Sequence, residues 1–163
     1  MHIQNLKELY IAELQEARSV EAQLSEALPK MIDLANAKDL KHALQVHLGE
    51  TRSHLERMDE ILEQHGAKAA AHSDRSMRTV IDEADNWAGM VDDPTCRDAG
   101  LIASAQRIEH YEIAVYGTLA TWAKQLGLRE DAEALRAILA EEKSADDTLT
   151  VLAKTDVNPA AAA

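Results

Sequence analysis

The 163 residues and 17.9 kDa suffice for one domain around one hydrophobic core. Lysine and arginine number 17 against 29 aspartates and glutamates, a net charge of −12, which argues against nucleic acid or an anionic membrane as a partner because both need a cationic face. Aromatic residues make up 3%, with no Phe, only six Gly and three Pro, a poor composition for a sheet protein. The single cysteine, Cys96, rules out an intramolecular disulfide framework or a multi-cysteine zinc or iron–sulfur site. No apolar stretch approaches a membrane span, and the N-terminus lacks the order of a signal peptide, so the cytoplasm is the expected compartment.

Four long segments carry apolar residues at helical spacing. The first, about 3–34, has an arc of Ile3, Leu6, Tyr10, Leu14, Ala17, Leu24, Leu28 and Met31. Pro29 lies inside it, and its missing N–H predicts a kink or break. The second, about 39–65, has Leu44, Leu48, Leu55, Met58 and Leu62, with Gly66 as its stop. After a linker rich in Ala, His and Ser comes a shorter amphipathic helix at about 77–91, with Val80, Ile81, Ala84 and Trp87. The third long helix, about 96–126, ends at Gly127, and the fourth runs from about 130 to 153. The short links at 35–38 and 127–129 make two antiparallel hairpins, and the middle connection crosses between them. The expected fold is all-α: a four-helix bundle over residues 1–156 with a short fifth crossover helix, followed by a frayed, flexible tail at 157–163. Trp87, Val80 and Ile81, together with Trp122 outside its seam, predict an exposed apolar face and hence self-association.

The informative feature is where the apolar seams are interrupted. Residues three and four apart share a helix face. Glu21 falls between Ala17 and Leu24; Glu109 and Glu112 fall between Ala105 and Tyr116; Glu142 and Asp146 fall between Leu139 and Leu149. In the second helix His47 and His54 lie within the arc and Glu50 at its edge. Singly, such a Glu is most often solvated and such a His a hydrogen-bonded core residue. Together, every long helix carries the interruption near its midpoint, so antiparallel packing brings the acids to one level. Unpaired carboxylates there are costly, and no Lys or Arg occupies the central seam positions. Two divalent cations bridged by carboxylates compensate; shared protons on the acids are the alternative. Oxygen donors with one or two imidazoles and no thiolate suit iron, or manganese, better than structural zinc. His47 reads as an outer partner of the ligands rather than a ligand. Glu141 and Asp147 read as ordinary surface carboxylates, so replacing Glu141 should leave metal loading unchanged.

The segments AQLSEALPKM, HLGETRSHLERMDEILEQHG, IEHYEIAVYGTLATWAKQLG and LAEEKSADDTLTVLA resemble the bacterial YciE/YciF stress-protein family of the ferritin-like superfamily, and together they span all four long helices. The resemblance implies a ferritin-like bundle, a homodimer, and a di-iron carboxylate site associated with responses to osmotic and other stress. Carried over, Glu21 is the first-helix ligand, Glu50 and His54 the second, Glu109 and Glu112 the third, and Glu142 and Asp146 the fourth. There are departures from the superfamily pattern. The Glu-x-x-His spacing would put histidine at Ser53, yet it stands at His54, and Asp146 replaces the fourth-helix histidine. Arg18 stands where the family usually has an aromatic, at an outer position. The leading functional expectation is a redox protein whose two iron (or manganese) ions meet O2 or peroxide in stress protection. Non-catalytic iron binding, and a structural or interaction bundle, are the alternatives.

Overall fold

Helix boundaries follow local capping chemistry. The side chain of Asn5 accepts the Glu8 N–H at 2.9 Å and opens α1 (Leu6–Leu34); Asp74 accepts the Met77 N–H at 2.7 Å and opens α3 (Arg75–Met90); Asp93 accepts the N–H groups of Thr95 and Cys96 at the start of α4 (Pro94–Gln125). Each satisfies donors that the first turn leaves free. The ends of α2 (Lys38–Gln64) and α4 share one device. Gly66 (φ 63°) and Gly127 (φ 75°) take the left-handed conformation, which returns the Ala67 N–H to Leu62 O and the Leu128 N–H to Ala123 O at 2.9 Å each. The fourth long helix, α5 (Arg129–Leu152), follows directly.

The structure, a computed structural model, describes residues 2–163. It is an all-α, four-helix bundle: α1 pairs with α2 and α4 with α5 as antiparallel hairpins, and the shorter α3 crosses between them against α1 and α4. Among the described residues no helix is long and apolar enough to cross a membrane.

Three local expectations are corrected. α1 runs unbroken through Pro29. The proline sits in the last turns of the helix, where buried Leu28, Met31 and Ile32 hold the chain to the core and outweigh the one backbone bond lost at Ser25 O. The C-terminal segment continues as a π-helical turn, Ala153–Val157, and a short helix, Asn158–Ala161, with Val157 buried in the core. Val80 and Ile81 pack against the core instead of standing free, and Trp122 is half-buried beside the second cluster. Trp87 and Met90 remain exposed on α3.

Apolar packing forms two clusters. One joins Leu24, Leu28 and Met31 to Leu40, Leu44, Ile102 and Leu149. The other joins Tyr10, Leu14 and Ala17 to Met58, Leu62, Leu119 and Leu135. Asp98 fastens the first end, accepting the N–H groups of Asn36 and Ala37 at 2.7 Å each and so tying α4 to the α1–α2 link. Between the clusters the bundle interior is polar.

Candidate metal centre

That polar layer is built from one helical position per turn on each long helix. Along α2 the buried stripe reads Leu40, Leu44, His47, Thr51, His54, Met58, Ile61, an alternation of threes and fours that keeps one side facing the core. α1 contributes Glu21, α4 contributes Glu109 and Glu112, and α5 contributes Glu142, none more than 2% exposed. The donor atoms fall into two sets, each with its members within 4.8 Å of one another: His47, Glu109, Glu112 and Glu142; and Glu21, His54 and Glu142. Glu142 belongs to both. It faces each histidine, with Oε1 at 3.0 Å from His54 Nδ1 and Oε2 at 4.0 Å from His47 Nδ1. Glu109 Oε1 is 3.3 Å from His47 Nε2, and Glu21 Oε1 is 3.7 Å from His54 Nδ1.

These approaches do not satisfy the groups that make them. Both oxygens of Glu112 and of Glu142, one oxygen each of Glu21 and Glu109, both nitrogens of His47 and Nδ1 of His54 are buried without a hydrogen-bond partner. Buried polar atoms are ordinarily paired, and here the orphans are concentrated on two adjacent constellations. Their partners are few: the Tyr116 hydroxyl donates to Glu21 Oε1, and His54 Nε2 lies 2.6 Å from Glu141 Oε2.

The electrostatics agree. Burial, with the neighbouring Glu142 carboxylate, holds the Glu109 carboxyl up at about 10. Burial also drives Glu112 well above its ordinary value, with Glu142, Glu21 and Glu109 adding to the rise. Glu21 is pushed by burial to about 8, although His54 and the Tyr116 hydroxyl pull it down. For His54 burial favours the neutral ring, but Glu142, Glu21 and Glu141 outweigh it and raise it to about 9. Without a cation, burial and crowding favour the protonated forms of Glu21, Glu109 and Glu112.

Of the seven side chains singled out in the sequence, Glu21, His54, Glu109, Glu112 and Glu142 converge, and Glu50 and Asp146 lie outside the two sets. The Glu50 side chain is 34% exposed, with Oε2 at 3.7 Å from His47 Nδ1. Asp146 accepts the Gln106 amide at 3.0 Å and lies 3.5 Å from exposed His110. His47, expected outside the ligands, stands within one set instead. The signal was its spacing: His47 and His54 are two turns apart on the apolar stripe, whereas Glu50 falls off it. Glu141, expected to be an ordinary surface acid, holds His54. A cavity of about 400 Å³ between α2 and α5 reaches the layer, walled by Leu44, Val46 and Leu149 with His47, Glu50 and Glu109 among its lining.

Comparison with known proteins places this architecture. A curated relative, Protein YciF of Escherichia coli (strain K12), is 40% identical over 159 residues, covering 97% of this chain and 96% of the relative. The crystal structure of the E. coli stress protein YciF superposes with a TM-score of 0.91 at 39% identity, over 96% of this chain and 99% of that one. YcfI of Rhodopseudomonas palustris, described provisionally as a structural protein, gives a TM-score of 0.88 at 40% identity over 91% and 94% of the two chains. A protein of Xanthomonas campestris pv. campestris, 20% identical with a TM-score of 0.74 over 91% and 90%, shares the fold. Residues 5–162 match the family described as a domain of unknown function, DUF892, and the chain belongs to that family.

Proposed function

We propose that the chain is a di-metal carboxylate protein of ferritin-like type, holding two iron ions, with manganese as the alternative, and working on O2 or peroxide as part of a cytoplasmic stress response. One observation carries the reading: the buried layer between two apolar clusters leaves its donor atoms unpartnered in two sets that share Glu142. The donor chemistry fits, being carboxylate and imidazole without thiolate. Glu109, Glu112 and His47 would hold one ion, Glu21 and His54 the other, with Glu142 between them. Two such ions supply redox equivalents and Lewis acidity to a bound oxidant.

The chain's own residues define the rest. The apolar clusters on either side exclude bulk water, which strengthens electrostatic interactions in the layer. The cavity between α2 and α5 admits a small molecule to the His47 and Glu109 side. Tyr116 donates to Glu21 Oε1, the oxygen that faces His54, and Glu21 Oε2 is buried without a partner. Protons held on Glu109 and Glu112 must leave as cations enter, so loading releases acid. The stress role rests on the likeness to E. coli YciF, itself called a stress protein. Homodimerisation is part of the proposal, with exposed Trp87 and Met90 on α3 as its surface.

Elemental analysis of protein purified from its host, read with an anomalous-scattering map, tests the metal reading. Two ions among Glu21, His47, His54, Glu109, Glu112 and Glu142 are expected. A stoichiometry near zero after growth in iron- and manganese-replete medium overturns it. Consumption of peroxide or O2 by the loaded protein separates the redox reading from a bundle that holds metal for stability alone.

A further inference from the structure

Glu141 is adjacent in sequence to Glu142, and the two carboxylates meet the two edges of one imidazole. Glu142 Oε1 lies 3.0 Å from His54 Nδ1, and Glu141 Oε2 lies 2.6 Å from His54 Nε2. Consecutive helical residues point about 100° apart, so α5 reaches past both sides of a ring that belongs to α2. The contacts differ in kind. Nε2 has hydrogen-bond geometry to Glu141, whereas Nδ1 has no hydrogen-bond partner despite its nearness to Glu142 and Glu21. The two sides also differ in burial: the Glu142 side chain is 0% exposed and that of Glu141 50%. The ring is buried, 2% exposed, and lies edge-on to Tyr116 at 6.3 Å between centroids.

We propose that Glu141 is a positioning residue that keeps the proton of neutral His54 on Nε2, so that the Nδ1 lone pair faces Glu21 and Glu142 as a metal ligand. The inference rests on the two-metal reading above. A neutral imidazole carries one N–H, and the hydrogen bond made by one nitrogen decides which nitrogen is free to ligate. Without Glu141 the ring divides between two tautomers, one of which turns an N–H towards the ion. A surface ion pair with no such role contributes a little to fold stability and nothing to ligand choice. The two accounts make different predictions.

The test uses full-length protein stripped with a chelator and titrated with Zn²⁺, a diamagnetic probe, in the parent, Glu141→Ala and Glu141→Gln forms. Competition with a chromophoric chelator gives stoichiometry and affinity, and long-range ¹H–¹⁵N spectra give the His54 tautomer. The parent is expected to take up two ions with the proton on Nε2. Glu141→Ala should weaken one of the two ions about 10- to 100-fold and leave the other unchanged. Glu141→Gln, whose amide oxygen still accepts from Nε2–H, should recover most of that loss. Equal affinities in parent and Glu141→Ala overturn the inference, even if the alanine form unfolds earlier. So does a glutamine form as weak as the alanine form, or a loaded parent with its proton on Nδ1. A parent that takes up no Zn²⁺ refutes the two-metal reading itself and this inference with it.

Discussion

Raising the pH of the metal-free protein should destabilise it, although carboxylates are usually most stabilising when ionised. The ordinary value for glutamate is 4.5, and Glu109 is held at about 10 in the folded chain. Between those values the folded state binds a proton that the unfolded state has lost. The contribution is fully present below the unfolded value and is lost as pH rises towards the folded one, at about 1.4 kcal/mol per unit. From about pH 6 to about pH 9, Glu109 alone gives a loss of about 4 kcal/mol. Glu112, Glu21 and His54 are also raised, so they act in the same direction. Because these groups crowd one another, we take a net one-proton difference as the basis. About 4 kcal/mol is a large share of the 5–15 kcal/mol typical of a domain. Urea unfolding of chelator-treated protein, followed by circular dichroism at several pH values, should show the midpoint falling steadily. Glu109→Gln should flatten the slope. In the loaded protein cations replace protons, so its stability should hold or rise over the same range. A metal-free midpoint that stays level or climbs between those pH values would refute the argument, because it would mean that the buried acids are already ionised.

Glu142→Ala should remove both ions while Glu109→Ala removes the one on the His47 side, since only Glu142 belongs to both sets; elemental analysis decides. Glu50→Ala and Asp146→Ala should each weaken loading less than Glu142→Ala, because one faces the cavity and the other is held by Gln106; a loss of loading equal to that of Glu142→Ala would place that side chain among the ligands. Asp98→Ala strands the N–H groups of Asn36 and Ala37 and should cost about 2–3 kcal/mol, seen as a lower urea midpoint with metal content unchanged.

Sequence periodicity alone carried the bundle, because a helix that buries one stripe must place its core residues three and four apart, and Gly66 ends α2 while Gly127 turns α4 into α5, each with a positive φ. It carried the acid layer for the same reason: Glu21, Glu109, Glu112 and Glu142 stand on the stripe itself. It was ambiguous where two residues competed for one face. On α2 the family pattern favours Glu50, the stripe favours His47, and packing follows the stripe, burying His47 to 5% exposure. Asp146 lies a full turn past Glu142 yet turns to Gln106 on α4, a neighbour that only the tertiary arrangement supplies. Glu141 was illegible for a related reason. Helical periodicity assigns it to the solvent side, and its side chain is indeed half exposed, but a carboxylate at the edge of a bundle can reach inward to a ring on the adjoining helix. Periodicity fixes which faces are buried; it says nothing of what a residue at the border of a face touches. The border is where a ligand's orientation is set, so the residues that tune this site lie where a one-helix reading sees ordinary surface.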